Sequence, residues 1–147
     1  MINFEREIIF IHIPRSGGRT VSSALGGKVN DIHEHQHATA LEYREEYPDL
    51  WDHYFKFCVV RDERERLESL YDYLKDQGEV SDVVDMISTD WRARPAEEWY
   101  CDAEGDVIVD EVVKFEELEA WLEKEFELVF DEIPHIGSSE KLPHSGS

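Results

Sequence analysis

The chain has 147 residues, 41% of them hydrophobic and 12% aromatic, which is enough for one folded domain (residues 1–147) with a real core and too little for two. Its net charge of −20, from 15 basic and 35 acidic residues, argues against nucleic acid or an anionic membrane as partner, because both need a basic face. No apolar run approaches the ~20 residues that span a bilayer, and the start MINFEREIIF carries acids where a secretory signal carries bases, so the cytoplasm is the expected location.

Residues 7–13 predict a buried strand of the parallel type, a short apolar run with β-branched residues that Pro14 ends. Gly17-Gly18 follows at once, flanked by Arg15, Ser16, Arg19 and Thr20. Val21, Ala24 and Leu25 then recur at helical spacing, so residues 18–25 begin a helix that Gly26-Gly27 stop. Glycines let a backbone approach a ligand closely. A helix start offers free N–H groups and the positive end of a dipole to an anion. Residues 15–20 are therefore a candidate loop for a phosphate or sulfate group. The plain alternative is a helix-capping turn with surface arginines.

Residues 28–37 are polar, with His33, His35 and His37 at alternate positions. Such a run can gather metal ligands on one face of a strand, but no fourth ligand stands at a telling spacing, and no metal is expected. Ala38–Tyr47 predicts a helix ended by Pro48, then a short WDHY link. Tyr54–Val60 predicts a second buried strand, with Arg61 and Asp62 at its carboxyl end. Asp62 can cap the next helix, which has Glu63 and Glu65 in its first turn. That helix runs to about Lys75, where Gln77-Gly78 ends it. Leu67, Leu70, Tyr71 and Leu74 form its apolar stripe, and Arg64 and Arg66 suit local ion pairs with nearby glutamates.

Val80–Ile87 reads as a short helix, and Trp91, Trp99 and Tyr100 mark a packed but irregular stretch. Asp106–Val113 alternates apolar and acidic residues and reads as a strand. Phe115–Phe126 reads as a helix with Phe115, Leu118, Trp121, Leu122 and Phe126 inward, and Glu127–Phe130 as a last short strand. His12, inside the first strand, reads as a satisfied core histidine. Cys58 and Cys101 fit no metal or redox spacing, and Cys58 reads as a small core residue.

The order strand–helix–strand–helix with parallel-type strands implies an α/β layered domain. In such domains ligands sit beyond the carboxyl ends of the strands. The loop at residues 15–20 and Arg61 both fall there, so two basic sites share one edge. That pairing points to a ligand with two separated anionic groups.

Those residues resemble the sulfotransferases that use 3′-phosphoadenosine-5′-phosphosulfate (PAPS), in particular the carbohydrate sulfotransferase branch. The family's 5′-phosphosulfate loop follows a pattern like I-P-K-T-G-G-T-S, and residues 13–20 read IPRSGGRT. Its 3′-phosphate site follows V-R-[DN]-P-x-x-R-x-x-S-x-Y, and residues 60–71 read VRDERERLESLY. His37-Ala38-Thr39-Ala40, Val109-Asp110 through Leu118, and Ile133-Pro134-His135-Ile136 are similar to three further segments of the family, in the family's order. Arg15 stands where lysine is usual, Arg19 where a small hydroxyl residue is, Glu63 where proline is and Gly137 where asparagine is.

The resemblance implies a three-layer, P-loop-like parallel sheet with flanking helices, and transfer of a sulfuryl group from PAPS to a hydroxyl acceptor, with a carbohydrate expected. It implies that Arg15 lies by the bridging oxygen. Ser16, Gly17, Gly18, Arg19 and Thr20 would cradle the 5′ end, and Arg61 and Ser69 would bind the 3′-phosphate. It makes His37 the candidate base, Glu34 the reserve, and gives no catalytic metal. For His37 the other role is the N-terminal boundary of the helix that follows it. Two rival functions remain: a P-loop kinase, because Gly18-Arg19-Thr20 mimics the end of G-x-x-x-x-G-K-[ST], and a non-catalytic nucleotide-binding relative.

Overall fold

The computed structural model describes residues 1–25 and 37–126. Its one sheet runs in the order β1 (Ile2–Asn3), β2 (Ile8–Ile11), β3 (Phe55–Val60) and β4 (Glu111–Lys114). β2, β3 and β4 are parallel, with Ile9 opposite Lys56 and Cys58 opposite Val112. β1 lies antiparallel on the outer edge of β2, so the sheet is mixed where a purely parallel one was expected. The reason is local. Arg6 N–H donates to Asn3 Oδ1 at 2.8 Å and Glu7 takes a left-handed φ of 56°. That reverses the chain within four residues, too few for the crossover that parallel pairing needs.

Among the described residues the helices are α1 (Gly18–Ala24), α2 (Ala40–Glu46), α3 (Pro48–His53), α4 (Glu63–Asp76), α5 (Val83–Thr89), α6 (Glu97–Tyr100) and α7 (Leu118–Phe126). Parallel strands are covered on both faces, and alternate residues here divide accordingly. Ile9, Ile11 and Cys58 pack with Tyr43, Trp51 and Trp99 from α2, α3 and α6. Ile8, Phe10, Phe57 and Val59 pack with Val21, Leu118 and Leu122 from α1 and α7. Helices thus flank the sheet on both sides. α4 adds a satellite core, in which Leu70 and Leu74 meet Met86 and Ala93. Each such fully buried side chain is worth roughly 1.5–3 kcal/mol of transfer free energy.

Three elements differ from the sequence reading. Pro48 does not merely end α2; it sits in the first turn of α3, where its fixed φ and missing N–H cost nothing. The WDHY link is thus mostly helix. The strand expected over residues 106–113 is confined to Glu111–Lys114. Before it, Cys101 and Val107 bridge to each other, and the chain joins the sheet only where Asp110 N–H donates to the Lys56 carbonyl at 2.8 Å. Residues 115–117 form a 3₁₀ turn ahead of α7. The Gly26-Gly27 stop, the strand read at Glu127–Phe130 and the Ile133–Ile136 segment lie outside the described residues.

Candidate functional site

Because β2, β3 and β4 are parallel, their carboxyl ends open on one edge of the sheet. Residues 12–17, Arg61 and Phe115 leave the strands there. Ser16 N–H closes the loop on the Ile13 carbonyl at 3.2 Å, and Val21 N–H reaches back to the Gly17 carbonyl at 3.2 Å to start α1. Arg15 has φ 64° and Gly17 φ 83°. For arginine the left-handed region costs about 1–2 kcal/mol. The two glycines are needed for different reasons. A Cβ on Gly17 would meet the Leu118 side chain at 3.1 Å and leave a strained φ, whereas a Cβ on Gly18 would fall inside the imidazole of His12.

The left-handed turn at Arg15 sends its side chain toward α4. Arg15 Nε–H donates to Ser69 Oγ at 3.0 Å, and the guanidinium lies 5.4 Å from the Tyr73 ring centre. Arg61 donates from its guanidinium to the Arg15 carbonyl at 3.1 Å and covers the Phe115 ring at 4.9 Å. Ser69 and Arg61 are thus both joined to Arg15, the first through its side chain and the second through its carbonyl. Burial first, then the charge of Arg61, lowers the Arg15 pKa; Tyr73 opposes this and Arg19 adds to it. These half-buried cations would gain from an anion between them.

The acids alongside are engaged. Asp62 accepts Glu65 N–H at 3.0 Å as the cap of α4, and Glu63 pairs with Arg66. Glu65 lies 3.9 Å from Arg61. Among the described residues Ser16 Oγ is buried without a hydrogen-bond partner, and Arg61 Nε has none nearer than the Glu65 carboxylate at 3.9 Å, which is costly unless a ligand supplies one. This donor set fits a phosphate or sulfate group. Arg15, Ser16, Gly17, Gly18, Arg19, Thr20, Arg61 and Ser69 all belong to the loop, the first turn of α1, the residue that follows β3, or the second turn of α4.

His37 lies one ring away. Its Nδ1–H donates to the His12 carbonyl at 2.8 Å, and its ring centre is 4.2 Å from that of His12, the ring fitted against Gly18. A carbonyl can only accept, so the neutral imidazole carries its lone pair on Nε2. Trp99 Nε1–H donates to the His37 carbonyl at 2.9 Å. The cap of α2 is Thr39, which exchanges hydrogen bonds with Glu42 in a capping box. His37 thus precedes the helix boundary rather than forming it. His12 is in the core but is not satisfied: both ring nitrogens are buried with no hydrogen-bond partner among the described residues. Burial, then the charges of His37, the N-terminal amine and Arg15, hold its pKa well below 6.5.

Arg66 carries more than the local ion pair expected of it. It is fully buried and grips Glu63 with two bonds of 2.7 and 3.2 Å. It also donates to the carbonyls of Pro14 at 3.2 Å, Arg92 at 2.9 Å and Arg94 at 2.7 Å. It ties the loop to the segment after α5. The signal was in the chain: Arg66 stands four residues before Leu70 and eight before Leu74, on the inward stripe of α4.

That segment helps to form a cavity of about 660 Å³, lined among the described residues by His37, Thr39, Leu41, Glu42, Glu45, Trp91 and Arg94. No group of three or more His, Cys, Asp or Glu among the described residues can hold a metal ion. His33, Glu34 and His35 lie outside them. Burial raises the Cys58 thiol pKa far above its usual value, so Cys58 is inert. Among the described residues no helix is long and apolar enough to cross a membrane. Comparison with family models, curated proteins and solved structures found no significant match.

Proposed function

We propose that this protein is a sulfotransferase that binds PAPS at the carboxyl edge of its sheet and transfers the sulfuryl group to a hydroxyl acceptor. The observation that carries the proposal is the contact of Arg15 with Ser69 and Arg61 behind the glycine loop. It puts the two halves of the sequence resemblance, residues 13–20 and 60–71, into one constellation. PAPS supplies an activated sulfur–oxygen bond to phosphate, which breaks as the acceptor oxygen bonds to sulfur. Arg15 neutralises charge gathering on the leaving phosphate; a guanidinium can hold two oxygens but gives up no proton. The loop N–H groups, Ser16, Arg19 and Thr20 hold the 5′ end. Arg61 and Ser69 hold the 3′-phosphate. His37 Nε2 takes the acceptor proton while Nδ1–H stays on the His12 carbonyl, which keeps the tautomer.

A thermal-shift assay tests this reading. Adenosine 3′,5′-bisphosphate at a hundredfold excess over its Kd should stabilise the protein by about 2.7 kcal/mol, and AMP or ATP at the same concentration by less. Arg61→Ala should abolish the preference for the 3′-phosphate, whereas His37→Ala should keep binding and lose transfer. Equal stabilisation by all three nucleotides overturns the proposal. Tight binding of ATP with magnesium, without the bisphosphate, replaces it with the kinase reading. Bisphosphate binding with no transfer from PAPS to a broad panel of acceptors replaces it with the non-catalytic one.

A further inference from the structure

The cavity beside His37 has its own chemistry. Glu42 and Glu45 stand one turn apart on α2, and Glu42 Oε1 is fixed by Thr39 N–H. Trp91, which also lines the cavity, leaves 43% of its surface exposed, while Trp99, 6.4 Å away between ring centres, is fully buried. The ring centre of Trp91 is 5.8 Å from that of His37. Arg94 is the one guanidinium among the described lining residues, and it is engaged: Nε–H donates to the Trp91 carbonyl at 3.1 Å, and NH1 lies 3.9 Å from Glu98. The Arg92 guanidinium already lies 5.5 Å from the Trp91 ring centre and is paired with Asp90 at 2.9 Å, so this indole takes a cation, and beside the two carboxylates of α2 it favours an ammonium group over an anion. The volume of about 660 Å³ lies in the range of small-molecule sites.

We infer that this cavity takes an amine-bearing alcohol, with its ammonium group against Glu42, Glu45 and Trp91 and its hydroxyl toward His37. The inference rests on the proposed function only in calling that hydroxyl the acceptor; the cationic preference rests on the described lining residues alone. It excludes uronates and other anionic sugars as favoured occupants. The occupant needs one positive charge and one hydroxyl on a body small enough to lie on an indole.

Three matched probes test it: glucosamine, glucose and glucuronate, which keep one ring and vary its charge. Saturation-transfer NMR titrations at neutral pH, with adenosine 3′,5′-bisphosphate present and absent, give their affinities. Glucosamine should bind about tenfold tighter than glucuronate, with glucose between them. Trp91→Leu should weaken glucosamine severalfold. Glu45→Gln, a change at an exposed position that leaves the core untouched, should narrow the gap between glucosamine and glucuronate. Glucuronate binding as tightly as glucosamine, an unchanged gap in Glu45→Gln, or no binding of any probe overturns the inference. The nucleotide arm separates the two readings. Nucleotide binding with no amine preference defeats the cavity assignment alone. Amine-selective binding without nucleotide binding defeats the sulfotransferase reading and leaves the cavity assignment standing.

Discussion

His12 and Gly18 behave as one unit, because the imidazole occupies the space that a side chain at position 18 would need. Gly18→Ala should therefore overpack the start of α1. A loss of about 2 kcal/mol, within the usual range for an added buried methyl group, should appear in urea unfolding; a neutral result would mean that the His12 ring swings aside freely. The same burial makes His12 a source of acid sensitivity. Its folded pKa is depressed, so its contribution to stability is complete above the unfolded value of 6.5 and is lost as pH falls toward the folded pKa, because the unfolded chain takes the proton first. His12→Leu should lose less stability than the wild type between about pH 7 and pH 5.5, by about 1 kcal/mol. Parallel slopes for the two proteins would remove His12 from the account. Asp90, held low by hydrogen bonds from Arg92 that outweigh its burial, acts only at more acid pH and does not blur the comparison.

At the scale of elements, Arg66 joins parts that the strands alone do not connect. Its guanidinium bonds α4 to Pro14 in the loop and to Arg92 and Arg94 at the edge of the cavity. Arg66→Leu strands three carbonyls and should cost about 3 kcal/mol, read as a lower unfolding midpoint. Arg66→Lys, with fewer and unforked donors, should fall between; a wild-type midpoint in Arg66→Leu would show the network to be idle. The elements legible in the chain were those that local pattern dictates: β2 and β3 as apolar runs, α4 from its Asp62 cap to Gly78, and the inward residues of α7. The loop and Arg61 were legible because their residue types stand at the ends of those elements, whereas Ser69, inside α4, was singled out only by the sequence resemblance. β1 was not, because two residues have no period and only their pairing with Ile8 and Ile9 makes them a strand. The contact of Ser69 with Arg15, the unsatisfied state of His12 and the three carbonyls on Arg66 depend on how α4 crosses the loop. No spacing along the chain encodes that crossing.

For the whole molecule, the unusual quantity is a charge of −20 on 147 residues around a cluster of arginines. The two fit together because they act over different distances. Arg15 and Arg61 are partly buried and reach a bound anion across a few ångströms, where salt screens little. The carboxylates are spread over the exterior and repel one another across distances comparable with the Debye length of about 10 Å at 0.1 M salt. Self-repulsion of this kind destabilises the compact state, while the exposed pairs Arg64–Glu68 and Arg94–Glu98 contribute little to lose. Salt should therefore stabilise this protein. Raising sodium chloride from about 0.05 M to about 0.5 M should lift Tm by several degrees, equivalent to about 1–2 kcal/mol for a chain of this size. Sodium sulfate at equal ionic strength separates the two distances. A further rise with sulfate over chloride, absent in Arg61→Ala, would come from the anion meeting the arginine cluster. An equal rise in both salts would come from screening alone. A fall in Tm with chloride would mean that the surface acids are paired rather than crowded, and that the arginine cluster is not the exception in this molecule that its sequence makes it.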